Sequence, residues 1–436
     1  MEEIDPLYYN AIDQIFHAEW TAKKLVRHKI LADAIKKLWP HGHQTKLIQV
    51  AGTSGKGSVC KFIEKGFSLN SSSGSLTGPH LFDYRERFSI NNQTVNREDI
   101  VHAWENTIRP LAVDIAHERS EHALAFGEIT LLIALLLFDK YQLEWGVIET
   151  GFGGRYDHAT ALQVVGTVLT NVGKDHERSL GKYSWQRALD KAGIVRQNIP
   201  LFTSVQETKL FSIINSICAH SHSPLFQSTT NDYNKIFNTL SKHKISDNVL
   251  LSAEHQLINA ALAIQLIKYF NHDASDKKLI DSMITISMPG RLQKLNEGIY
   301  IDVAHNNDKI SVLANEINKR FPDKKIVFLI GLSRNRSARD VLSPILPLAD
   351  SLIITMPSQY GVSPNEIAQD LEEAGRTLPT EIIPDPQLAI QKLKSIKKPN
   401  EIGIITGSSF MIDEAVNPDE FVRYINATAG WRNDPK

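Results

Sequence analysis

Residues 46–67 constrain the fold more than any other stretch of this chain. Lys46-Leu-Ile-Gln-Val-Ala51 has the length and apolar content of a buried strand, and it runs directly into Gly52-Thr-Ser-Gly-Lys-Gly-Ser58. From Val59 to Phe67 apolar residues return at helical spacing. A strand that turns through glycines into a helix aims backbone N–H groups and the positive end of the helix at one point, which suits a phosphate. Lys56 can then reach the terminal phosphates of a nucleotide, and Ser58 can hold a magnesium ion. The spacing departs from the strict G-x-x-x-x-G-K-[ST] pattern: Val50 stands at the first glycine, and Gly57 separates the lysine from the serine. A glycine turn beside a solvated lysine is the plain alternative.

Other strand-length apolar runs alternate with helical stretches. They fall at 145–148, 164–169 and 201–203, and a second series lies at 299–302, 325–331, 351–355 and 402–407. Two amphipathic helices or one are expected over 6–39, and a helix over 254–269 with Leu257, Ala260, Ala261, Ile264 and Ile267 on one stripe. Residues 219–248 are rich in Ser, Asn, His and Lys and read as a loop-rich excursion. Alternating strands and helices predict an α/β protein with mostly parallel sheets covered on both faces. Met288-Pro289-Gly290 breaks the pattern, which divides the chain into 1–290, carrying the P-loop, and a smaller Rossmann-like α/β domain at 291–436.

Charge narrows the partners. With 48 Lys+Arg against 49 Asp+Glu the net charge is -1, so neither nucleic acid nor an acidic membrane surface is an expected partner. The only cysteines, Cys60 and Cys218, allow no disulfide framework and no cysteine-based zinc site. The acidic start Met1-Glu2-Glu3-Ile4-Asp5 lacks the form of a signal peptide. The apolar run at 129–138 falls short of the ~20 residues a membrane span needs. A cytoplasmic location is the expectation.

The glycine loop resembles the G-T-N-G-K-G-S loop of the folylpolyglutamate synthase and dihydrofolate synthase family of the Mur ligase superfamily. Further blocks resemble that family in order: Leu76-Thr-Gly-Pro-His-Leu81 with Arg85-Glu-Arg87, Phe126-Gly-Glu128, Glu149-Thr-Gly-Phe-Gly-Gly-Arg-Tyr-Asp157 and Asn171-Val-Gly-Lys-Asp-His176. Asp190-Lys-Ala-Gly-Ile194, His255-Gln256 with Asn259, Pro289-Gly-Arg291, Asp302-Val-Ala-His-Asn306 and Thr406-Gly-Ser408 continue it. The resemblance implies a Mur-ligase-like ATP-binding domain followed by a ligase domain. It also implies an activity: ATP-dependent joining of L-glutamate to a folate or pteroate carboxylate through an acyl phosphate.

The same resemblance assigns roles. Gly52, Thr53, Ser54, Gly55, Lys56, Gly57 and Ser58 would cradle ATP, with Gln256, Asn259, Arg291 and Asp302 as further nucleotide contacts. Ser58, Glu149, His176 and Lys191 would bind magnesium, Lys191 after carbamylation, and a second magnesium or a potassium ion is a further candidate cofactor. Lys56, Lys191 and His305 would be catalytic, and His80, Arg85, Arg87, Arg155 and Asp157 would contact the acceptor. A single chain with small-molecule partners is implied.

The sequence also departs from the family. Ser54 replaces Asn, Gly78 replaces a metal-binding Ser, and Lys174 replaces an aliphatic residue. His158-Ala-Thr160 replaces Ala-Thr-Asn, Asn307 replaces Pro, and Arg334-Asn-Arg336 replaces a lysine-containing D-K-D. Two other readings therefore stay open: a Mur-type ligase acting on a non-folate acid, and a non-catalytic nucleotide-binding homologue.

Overall fold

The computed structural model describes residues 4–18, 24–118, 123–174, 177–240, 251, 254–296, 298–333, 337–358, 360–373, 375 and 378–429. It is an α/β structure built on two mostly parallel sheets. The first contains β1 (Lys46–Ala51), β2 (Ser73–Leu76), β3 (Phe88–Ile90), β4 (Gln93–Thr94), β5 (Trp145–Glu149), β6 (Gly166–Leu169), β7 (Leu201–Thr203) and β8 (Leu225–Gln227). Their order is β4-β3-β2-β5-β1-β6-β7-β8, antiparallel only at the β2–β3–β4 edge. The second contains β9 (Gln293–Asn296), β10 (Ile299–Ile301), β11 (Ile326–Ile330), β12 (Ala349–Ile354), β13 (Thr380–Ile382) and β14 (Ile402–Thr406). Its order is β13-β12-β11-β14-β10-β9, with only β9 antiparallel.

Helices cover both faces of each sheet, which is why the central strands are buried along nearly their whole length. The helix Lys56–Phe67 packs against the helix Glu254–Phe270, whose expected stripe from Leu257 to Ile267 is buried. On the other face, Ile12, Phe16, Leu132 and Phe138 share a core with Val422 and Ile425 from the last helix, Glu420–Thr428. The chain therefore returns to its first sheet at its end.

Three features differ from the sequence reading. Residues 219–248 are not simply loop, because β8 and the helix Thr230–Leu240 fall within them, while 241–250 lie outside the described residues. Ile236 and Leu240, one helical turn apart, anchor that helix through an otherwise polar sequence. The helix after the glycine loop begins at Lys56 rather than Val59. The second sheet begins before the strand expected at 299–302, since β9 precedes it and pairs with β10.

Candidate active site

β1 lies between β5 and β6, so the carboxyl ends of these strands meet where the sheet's connections diverge. Ligands bind at such a switch point in open α/β sheets because neighbouring loops lead away in opposite directions and leave a crevice. Here the three ends deliver the glycine loop, Glu149 and Asn171 to one cleft of 1320 Å³.

The loop is held open by its neighbours. Asn171 Oδ1 accepts from the backbone N–H groups of Thr53 (3.1 Å) and Ser54 (2.9 Å), and Thr53 Oγ1 accepts from Gly173 N–H (2.9 Å). Those two loop N–H groups are thus structural. Gly55 caps the helix at φ 81° with no side-chain cap, and a Cβ there would lie 2.5 Å from Asn259 Oδ1. Only glycine satisfies both the left-handed backbone and the close approach. The uncapped helix start from Lys56 to Ser58 faces the cleft with its positive end.

Charge is concentrated around that helix start. Lys56 Nζ donates to Gly52 O (3.2 Å) and lies 3.8 Å from Glu149 Oε1. The plain alternative of a solvated lysine does not hold, because Lys56 is half-buried, drawn against the sheet edge by its pair with Glu149. Glu149 Oε2 accepts from Gly78 N–H at 3.0 Å. Burial pushes the Glu149 carboxyl above the usual carboxylate range, although Lys56, the Gly78 N–H, Arg291 and Arg87 all pull it back. Asp302 is also raised by burial against the pull of Arg291, while its oxygens accept from Leu292 N–H (2.8 Å) and Ala304 N–H (2.9 Å). Two carboxyl groups thus share one arginine across the cleft.

The second sheet supplies the facing wall. Arg291, Asp302, His305, Lys309 and Arg320 line it. His305 Nδ1 lies 2.9 Å from Val303 O, which fixes the proton there, and Nε2 accepts from Lys309 Nζ at 3.2 Å. On the first wall Gln256 and Asn259 share a helix face and bond to each other at 2.9 Å.

Not every expected residue reaches the cleft. Lys191 is buried beneath the loop, donating to Gly52 O at 3.1 Å, rather than lining the cleft. Arg85 is folded back on Asp83 by two bonds of 3.0 and 3.1 Å, and the exposed Arg155 also lies off the cleft. Asp157 lines the cleft while its carboxylate caps the turn at 157–161. His176 lies outside the described residues, as does Arg334-Asn-Arg336. Among the described residues no group of three or more His, Cys, Asp or Glu forms a ready metal cage. Asn171 and Lys309 were missed as site residues. Asn171 was the detectable one, since it follows β6 just as the glycine loop follows β1.

Comparison with known proteins bears on this geometry. The Mur ligase, glutamate ligase domain family matches residues 290–409. The dihydrofolate synthase/folylpolyglutamate synthase of Bacillus subtilis is 28% identical over 400 residues, covering 86% of this chain and 91% of the relative. Along most of its length the chain is similar to the folylpolyglutamate synthase family of the Mur ligase superfamily, and its residues 290–409 match that superfamily's glutamate ligase domain. The dihydrofolate synthetase of Saccharomyces cerevisiae, another relative, is 25% identical over 363 residues, 76% of this chain and 83% of its own length. The family fold extends over the whole chain. The Mycobacterium tuberculosis folylpolyglutamate synthase complexed with ADP superposes with a TM-score of 0.79 at 21% identity, covering 98% of both chains. A folylpolyglutamate synthase from Thermotoga maritima gives 0.77 at 20%, covering 97% of both.

Proposed function

We propose that this chain is an ATP-dependent ligase that joins L-glutamate to the carboxylate of a folate or pteroate. The observation that carries this reading is the convergence of an uncapped helix start, Lys56 and a second wall bearing Arg291, Lys309 and Arg320 on one cleft. That many cations in one crevice suit a triphosphate meeting a carboxylate, a pair that would otherwise repel.

The reaction follows from those parts. The acceptor carboxylate attacks the γ-phosphorus, its oxygen forms the new P–O bond, and ADP leaves. The glutamate nitrogen then attacks the acyl carbon, the C–O bond to phosphate breaks, and the nitrogen gives up a proton. Lys56 and the helix start hold the phosphates, and Arg291 with the His305–Lys309 pair meets them from the facing wall. Gln256 and Asn259 form the nucleoside side, Gly52 to Ser58 the phosphate side, and His80, Arg87 and Asp157 the acceptor side. Asp302 fixes the turn that carries His305.

Ser58 and Glu149 fit a magnesium ion, offering hard oxygens beside the phosphate cradle, and His176 belongs to the same expected set; Lys191, which donates to Gly52 O away from the cleft, would join them only if carbamylation broke that bond. Bound there, the metal would neutralise phosphate charge. A further magnesium or potassium ion belongs to the same reading. Within this reading the chain divides at 290/291, with the last helix returning to the first part, and closure between the two parts would exclude water from the acyl phosphate. The near-neutral charge argues against a nucleic-acid partner; a cytoplasmic location and a single chain with small-molecule partners belong to the same reading, and light scattering of the purified chain checks the single chain. Among the described residues no helix is long and apolar enough to cross a membrane.

One observation favours a different acid acceptor. His28 and His158 both line the cleft beside Phe126 and Asp157, and His158 stands among the residues that depart from the family pattern. ADP release with ATP, magnesium and L-glutamate, measured with dihydropteroate, tetrahydrofolate and unrelated carboxylic acids, separates the readings. Turnover confined to the pteroate or folate supports the proposal, turnover confined to other acids overturns its acceptor, and ATP binding without turnover overturns its chemistry.

A further inference from the structure

Arg87 lines the cleft and is close enough to Glu149 to pull its carboxyl down. A Cβ on Gly78 would lie 2.7 Å from its Nη1, so the guanidinium fills the space that a side chain at 78 would take. What holds it there runs to the far end of the chain. Arg87 Nε donates to His80 Nδ1 at 2.8 Å, so that nitrogen is the unprotonated one. The ring proton is then on Nε2, which donates to Asn426 Oδ1 at 3.2 Å. Asn426 is fully buried, and its amide is fixed in that sense because Nδ2 donates to Phe82 O (2.7 Å) and Asp413 Oδ1 (3.3 Å). Every bond in this series has one possible polarity. Phe16 stacks on the His80 ring at 5.5 Å and Phe126 lies 4.9 Å from the guanidinium, so the groups are also confined sideways.

We propose that Asn426, on the last helix, is a positioning residue: by fixing the His80 tautomer it orients the Arg87 guanidinium that receives the acceptor's carboxylate. The inference rests on the ligase reading for what Arg87 binds, but not for the relay itself. A hydrophobic residue at 426 would leave His80 without its acceptor, and the other tautomer would turn an N–H toward Arg87 Nε–H. The arginine would then lose its hold and its aim.

The test uses the full chain. Asn426→Leu should raise KM for dihydropteroate by about tenfold while KM for ATP changes less than about twofold, the loss expected for one misplaced charged contact. In an Arg87→Ala background the same substitution should change the acceptor KM less than about twofold, because the residue it acts through is gone. An equal effect in both backgrounds overturns the proposal and makes Asn426 a packing residue. If Asn426→Leu does not fold, His80→Gln takes its place: the longer amide can still meet Asn426 but no longer presents Nδ1 to Arg87, so it should raise the same KM. A wild-type KM in His80→Gln overturns the relay. Nitrogen-15 spectra of labelled histidine, with His80 assigned by its loss in His80→Gln, should show the Nε2–H tautomer in the wild type, and the Nδ1–H tautomer there overturns the proposal. Absence of any wild-type turnover with dihydropteroate overturns the ligase reading, and the tautomer measurement still decides the relay.

Discussion

Glu149 is a residue the fold tolerates rather than favours. Its carboxyl is raised by burial despite Lys56, Gly78 N–H, Arg291 and Arg87, so ionising it costs more in the folded chain than in the unfolded one. A carboxyl of this kind removes stability as pH rises from its unfolded value through its higher folded one. Glu149→Gln, which keeps an acceptor for Gly78 N–H, should therefore melt above the wild type at pH 8, and the gap should close toward pH 4. The same variant should lose about 10²-fold or more in ligation. Calorimetry and ADP release give the two halves, and an unchanged pH slope would contradict the burial argument. Lys56→Ala should reduce kcat by about 10²–10³-fold. It should also melt lower than the wild type, because Glu149 loses its nearest cation, and adding Glu149→Gln should recover that loss. Gly78→Ser must push the Arg87 guanidinium aside, since its Cβ would sit 2.7 Å from Nη1. The variant should fold, because a flexible side-chain end can move, but its acceptor KM should rise by several-fold.

At the scale of the element, the glycine loop is one side of a two-part device whose other side is the segment after β6. Asn171→Ala removes the acceptor of Ser54 N–H, a bond worth ~1 kcal/mol, while Thr53 N–H keeps the Asn171 backbone oxygen at 3.1 Å. KM for ATP should rise by about fivefold with little change in acceptor KM, and a nucleotide titration of the variant checks it. The loop was readable because strand, glycines and helix follow one another directly. So were β1, β5, β6, β7 and β14, since buried parallel strands are continuous apolar runs. The strands that escaped are of another kind. β2 is Ser-Gly-Ser-Leu, wholly buried although three of its four residues are small or polar, because Glu64 beneath it bonds Ser75 (2.6 Å) and Ser89 (2.5 Å). β9 and β13 are short, largely polar sheet edges. The glycine loop, Glu149, Asp302 and His305, each carried by a motif, meet at the cleft, whereas Arg85, Arg155 and Lys191, also carried by motifs, do not line it. Arg85 misled because a neighbouring aspartate, whose pairing no motif encodes, had already engaged it.

For the whole molecule, one arginine joins distant parts of the chain. Arg97 donates to Asp5 (2.6 Å), Asp419 (2.8 Å) and Tyr9 (3.1 Å), and Tyr9 stacks on Phe421 at 5.1 Å. Burial works to raise the Asp419 carboxyl, but the Val422 N–H and Arg97 outweigh it and hold it below the usual range. Stability from that group is present above the unfolded aspartate value and is lost as pH falls through the lower folded one. Arg97→Leu should cost about 1–3 kcal/mol at pH 7 and less near pH 3, as denaturant unfolding at the two values would show. The contact between Tyr9 and Asp419 spans 410 positions of sequence. On a ribosome adding ~5–20 residues per second, Tyr9 emerges some tens of seconds before Asp419 exists. Throughout that interval the helix Ile4–Phe16 can pack only on elements already made, leaving bare the flank that Val422 and Ile425 will cover. The helix Ile4–Phe16 is therefore exposed to chaperones and proteases until the segment bearing Val422 and Ile425 has been made.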